Sequence, residues 1–142
     1  MGWKQWALIK TANKTFTTPL RLSFPKRNDI WGYAYSDGDA DRKRLAWDDI
    51  EKLDIKAQGS YAYGHTGKQN EWAGMCADLD IYTKNDDPTK DVKVASIFYS
   101  CPWGSANKFE VKWVQDQWKV DYWGADFSGD SLGSITVEVR KL

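Results

Sequence analysis

Apolar and polar residues alternate along most of this chain in short runs. Leu20, Leu22 and Phe24 alternate with Arg21 and Ser23 up to Pro25. Leu53, Ile55 and Ala57 alternate with Asp54 and Lys56 before Gly59, and Ala77, Leu79 and Ile81 with Asp78 and Asp80 before a turn-rich Asn85-Asp86-Asp87-Pro88. Val92 to Cys101 is more continuously apolar and stops at Pro102. Phe109, Val111 and Trp113, then Trp118, Val120 and Tyr122, then Ile135, Val137 and Val139 repeat the pattern. A period of two over four to eight residues means a strand with one buried face. Many such strands, closely spaced by turn residues, predict an all-β sandwich or barrel. Only Asp41 to Lys52 competes as a helix. Its Leu45 and Ile50 make a poor stripe and Trp47 falls off it, so a loop or one short helical turn is expected there.

Length and charge narrow the picture. A chain of 142 residues fits one domain, here residues 1–142, and buries enough surface to fold without a metal or disulfide framework. Twenty basic and twenty acidic residues give zero formal charge, which removes the electrostatic case for nucleic acid. No apolar run is long enough to span a membrane, and Met1 to Lys10 lacks the pattern of a signal peptide. The expectation is a chain made soluble in the cytoplasm, whose extracellular action would follow leaderless release.

The aromatic content points to a surface task. The chain has nine Trp, seven Tyr and five Phe. A core of this size absorbs several, but Trp is rarely fully buried and its N–H wants a partner. Nine Trp therefore suggest that some sit at a surface, the alternative being that all nine are core or half-core packing. Trp113 and Trp118 sit in alternating runs and read as core. Trp47 and Trp72 have polar neighbours and read as surface, while Trp3 and Trp123 fit either place.

Candidate chemistry is sparse. The single histidine, His65, lies in a loop-like Ser60-Tyr61-Ala62-Tyr63-Gly64-His65-Thr66-Gly67 and cannot build a His-based metal site alone. Cys101 has no adjacent base, so a Cys–His nucleophile would need His65 to approach in space. Two cysteines, Cys76 and Cys101, are too few for a disulfide scaffold and read as thiols rather than a bridge. Asp37-Gly38-Asp39-Ala40-Asp41 resembles the start of a calcium loop but lacks its terminal Glu, and an Asp-Gly hairpin turn is the plainer reading. No enzyme motif, cofactor motif or metal set stands out, and the expectation is a binding protein rather than an enzyme.

Cys101-Pro102-Trp103-Gly104-Ser105 follows an apolar strand. Pro and Gly around a Trp set a rigid turn that either pushes the indole outward or folds it back over the sandwich end. This motif, with Gln5-Trp6, with Trp31-Gly32 followed by Asp37-Gly38-Asp39, and with Leu132-Gly133-Ser134-Ile135-Thr136-Val137, resembles the aegerolysin family in order and spacing along most of the chain. The resemblance implies a single-domain antiparallel β-sandwich with little or no helix. It implies binding to sphingolipid membranes, either sphingomyelin with cholesterol or ceramide phosphoethanolamine, and a larger perforin-like partner that forms the pore. A bacterial insecticidal toxin component is the subtype it suggests.

The family's headgroup tryptophans fall on Trp6, Trp31 and Trp103, and its lipid-selecting glutamate on Glu71, with Trp72 beside it. The family lysine after the central motif is replaced by Ala106, so Lys108 stands as the phosphate contact, a departure that leaves the exact lipid open. Exposed indoles also stack on sugars, which makes a carbohydrate-binding β-sandwich the alternative.

Overall fold

The computed structural model describes residues 4–67 and 74–142. Its elements are β1 (Trp6–Asn13), β2 (Leu20–Ser23), β3 (Tyr33–Ser36), β4 (Arg44–Leu45), α1 (Trp47–Glu51), β5 (Ser60–Thr66), β6 (Met75–Thr83), β7 (Lys93–Cys101), β8 (Lys108–Val114), β9 (Trp118–Trp123) and β10 (Gly133–Lys141). They form two sheets packed as a sandwich, one ordered β4-β3-β5-β1-β10-β9 and the other β2-β6-β7-β8. All ladders are antiparallel except that of β1 with β10, which starts at Ala7 opposite Gly133.

Alternation builds the core as expected. Ala7, Ile9, Tyr63, Ile135, Val137 and Val139 face inward from the six-stranded sheet, and meet Leu20, Leu22, Leu79, Ile81, Ile97 and Tyr99 from the other. Each buried aliphatic of this size contributes about 1.5–3 kcal/mol relative to exposure.

Four expectations need correction. Leu53 to Ala57 is not a strand: only Ile55 is buried, in a two-residue bridge to Leu20. Ser60 to Thr66 is a strand, not a loop, because the Tyr35 ring covers Gly64 where a Cβ would stand 2.0 Å from it. Glycine here is the mark of close packing rather than of a turn. Trp113 is 44% exposed rather than core. The β7–β8 register slips between Ser96 and Ile97, so the extra residue on β8 reverses the alternation and turns Trp113 outward opposite Ser96. Trp47 is half-buried rather than a surface residue. It opens α1 three positions before the buried Ile50 and packs on Phe24 at 4.6 Å and His65 at 4.9 Å between ring centroids.

Trp118 is buried and Trp123 exposed. Both cysteines are free thiols. Met75 pairs with Cys101 and Cys76 with Ser100, so the two thiols face opposite sides of the same sheet. The acidic segment after β3 is the hairpin connection to β4, with Gly38 at positive φ in its first turn and the Asp39 carboxylate accepting from the Asp41 and Lys43 N–H groups.

Candidate functional site

The strand directions bring four of the predicted site residues to one end of the sandwich. Trp6 starts β1, opposite Thr66 at the end of β5. Trp31 bridges to Cys76 near the start of β6, Trp103 follows the end of β7, and Lys108 starts β8. The β9–β10 connection reaches the same end, where the Leu132 N–H donates to the Trp6 carbonyl at 2.9 Å. Glu71 and Trp72, like Trp3, lie outside the described residues.

Trp31 is 55% exposed, yet its backbone is held on both sides. Its N–H donates to the Cys76 carbonyl at 3.1 Å, and its carbonyl accepts from the Cys76 N–H at 3.2 Å. The following Gly32 has φ +84°, and a Cβ there would stand 2.2 Å from the Thr66 carbonyl oxygen. Only glycine permits that left-handed turn at that distance, which explains the Trp-Gly pair.

Trp103 is 38% exposed on the β7–β8 turn, and the sequence alternative of an indole plugging the sandwich end does not hold. With Gln5, Pro102, Gly104, Ser105, Ser128, Gly129 and Asp130 it lines an open cavity of about 370 Å³. The far wall of that cavity is fixed by Asn107, whose buried side-chain amide donates to the Asp126, Gly129 and Ser131 carbonyls at 2.8, 3.0 and 3.1 Å. The Asp126 carboxylate accepts from the Ser128 and Gly129 N–H groups, both at 2.9 Å, and these bonds hold it below the usual carboxylate range. Phe127, 48% exposed, rides on the same turn. Neither Asn107 nor the Asp126–Asp130 turn stands out in the sequence, because an Asx turn forms wherever an Asp precedes a tight loop.

Trp6 points to the outer face of the six-stranded sheet. The Arg42 guanidinium lies 5.7 Å from its ring and 5.1 Å from that of Tyr35, and donates to the Thr66 hydroxyl at 3.3 Å. A second cavity of about 360 Å³ opens there, lined by Leu8, Asp37, Asp39 and Ser134 besides these rings. Gln5 and Trp6 thus stand on two different cavities. Lys108 is exposed and shares a sheet row with Ser100, Cys76 and Trp31. Three strand spacings separate it from Trp31, about 14 Å of sheet, which puts it on the Trp103 side of the end.

The buried His65 and Cys101 offer no acid–base or nucleophilic chemistry at neutral pH. His65 spends Nδ1 on the Tyr99 hydroxyl and Nε2 on the Trp31 carbonyl, both at 2.7 Å, and burial lowers its pKa to about 4. Burial pushes the Cys101 thiol up to about 11, and it donates to the Asp130 carbonyl. No group of three or more His, Cys, Asp or Glu that could hold a metal exists among the described residues. No helix among them is long and apolar enough to cross a membrane. The arrangement presents aromatic faces and a few polar groups on rigid turns, which is equipment for binding.

Comparison with solved structures places the fold among known ones. The chain superposes on the crystal structure of RahU protein in complex with a Tris molecule with a TM-score of 0.79 at 17% identity, covering 99% of this chain and 97% of that one. It superposes on IP-1A from Alcaligenes faecalis with a TM-score of 0.76 at 23% identity, covering 99% and 93%. No curated protein sequence matches. The family model for aegerolysins matches residues 4–142. On that match, over a two-sheet sandwich with Trp6, Trp31 and Trp103 at one end, the chain belongs to the aegerolysin family, whose fold serves membrane-lipid binding.

Proposed function

We propose that this chain grips sphingolipid headgroups on a target membrane through the Trp31–Trp103 end and recruits a perforin-like protein that makes the pore. One observation carries the reading: Trp31, Trp103 and Phe127 stand exposed on hydrogen-bonded turns at one end of a sandwich of this family. Exposed large aromatics on ordered turns favour a membrane interface, where an indole keeps its ring in apolar surroundings and its N–H wet. A choline or ethanolamine headgroup adds a cation, and each indole face attracts it by about 0.5–2 kcal/mol. Lys108 extends this surface toward the lipid phosphate, and Trp6 stands at the same end on the outer face of the six-stranded sheet, where it would meet the membrane beside them. Glu71 and Trp72, in the connection between β5 and β6, are proposed to complete the headgroup site.

The division of labour makes the chain a binder and not an enzyme. It acts on membranes outside the cell, and by itself it lyses little. Sedimentation with vesicles of phosphatidylcholine, of sphingomyelin with cholesterol, and of ceramide phosphoethanolamine tests this. Binding to a sphingolipid set alone is expected, and the set chosen separates vertebrate from insect membranes. Trp31→Ala and Trp103→Ala should keep the fold and lose binding at least tenfold. Normal binding by both variants would overturn the assignment, and sugar binding without lipid binding would favour the carbohydrate reading.

A further inference from the structure

The buried polar groups around His65 form a directed chain. The Trp31 carbonyl, 2.7 Å from Nε2, can only accept, so Nε2 carries the ring proton. The ring is neutral, so Nδ1 accepts and the Tyr99 hydroxyl 2.7 Å away donates to it. That leaves the Tyr99 oxygen to accept from the Tyr63 hydroxyl at 3.0 Å. The donation runs from Tyr63 on β5 to Tyr99 on β7, back to His65 on β5, and ends on Trp31. It crosses between the two sheets three times, through Tyr63, Tyr99 and His65, which are all fully buried, to the backbone of the exposed Trp31 bridged to β6.

The last bond is not needed to satisfy its acceptor. The Trp31 carbonyl already accepts from the Cys76 N–H, so His65 fills its second lone pair. An apolar side chain at position 65 would leave no orphaned carbonyl. What the bond adds is a second direction of restraint, from the six-stranded sheet, on a backbone the four-stranded sheet holds already. The Cys76 thiol, donating to the Asp29 carbonyl at 3.5 Å, ties down the approach to the same residue.

We infer that His65, oriented by Tyr99 and Tyr63, is a positioning residue that fixes the backbone of Trp31 to both sheets and so presents its indole to a membrane in one orientation. This rests on the reading of Trp31 as a membrane contact. A side chain ordered before binding loses less conformational freedom on binding, which is how a core residue reaches a surface function.

The test uses the full chain and three variants. His65→Leu removes the donor, His65→Gln keeps an N–H donor at the same reach, and Tyr99→Phe removes the group that orients the ring. Amide hydrogen exchange is followed at Trp31 and Gly32, with Leu79 in the core of β6 as the reference. Binding is measured to vesicles containing sphingomyelin and cholesterol, and to vesicles containing ceramide phosphoethanolamine.

In His65→Leu and Tyr99→Phe the Trp31 and Gly32 amides should exchange about tenfold faster relative to Leu79, the effect of losing one buried hydrogen bond. Vesicle binding should weaken several-fold in proportion, and His65→Gln should restore most of both. Acceleration shared equally by Leu79 would mean general destabilisation and overturn the inference. A loosened Trp31 with undiminished binding, where Trp31→Ala loses binding, would also overturn it. If Trp31→Ala binds normally, the membrane reading of Trp31 fails, while the exchange data still decide whether His65 positions that residue. Should His65→Leu fail to fold, Tyr99→Phe carries the same comparison.

Discussion

Acidification from neutral pH should destabilise this protein through its one histidine. His65 is fully buried, and burial lowers its pKa from 6.5 to about 4, with the Trp31 carbonyl offsetting only part of that. The unfolded chain therefore takes up a proton near pH 6.5, while the native chain resists it until about pH 4. Stability due to His65 is intact above pH 6.5, falls between 6.5 and about 4, and falls no further below. A gap of roughly 2.5 pH units at 1.36 kcal/mol each makes the loss about 3 kcal/mol, a large share of a typical domain's stability. The buried Tyr63, Tyr99 and Cys101 have raised pKa values, remain neutral across this window and add no slope. Asp91 and Asp126 are held below the usual carboxylate range, Asp91 by Arg21 and Asn85 despite its burial, so they lose their contribution only at lower pH. Urea unfolding followed by tryptophan fluorescence at pH 7, 5.5 and 4 measures the loss in the native chain. His65→Gln serves as the control, because it keeps a donor but cannot titrate. Equal stability of the native chain at pH 7 and pH 4, or an equal fall in His65→Gln, would refute the assignment of the slope to this ring.

Other substitutions probe the two ends of the argument. Gly32→Ala combines a positive φ with a Cβ 2.2 Å from the Thr66 carbonyl, and should cost about 3 kcal/mol in thermal unfolding and weaken vesicle binding by displacing Trp31. Asn107→Leu deprives three carbonyls of their donor and should cost about 2–3 kcal/mol, with the Ser128 to Asp130 amides gaining exchange before the rest of the chain. Trp113→Ser replaces an indole on the outer face of β8, far from the Trp31 end. It should change stability by less than about 1 kcal/mol and leave vesicle binding unaltered, as a paired control for Trp103→Ala.

Much of this molecule can be read from alternation alone, and where reading fails the cause is a contact distant in sequence. β2, β6 and β10 were legible because one face packs on the core and the other meets water, so burial copies itself into the residue pattern. β5 was not, because Gly64 looks like a turn until Tyr35 from β3 is laid over it. Trp113 and Trp47 were misplaced for related reasons. A bulge reverses the strand phase at one, and one helical turn points the other into an aromatic cluster that its polar sequence neighbours conceal.

The binding end divides the same way. The Trp-Gly and Cys-Pro-Trp-Gly-Ser motifs point to the family without coordinates, because turn chemistry is local. That Trp6, Trp31, Trp103 and Lys108 meet at one end, that Asn107 shapes the wall opposite Trp103, and that a buried histidine reaches the Trp31 carbonyl follow only from strand order and register. The two His65 hydrogen bonds each span 34 residues of chain, and no local pattern encodes such a pairing.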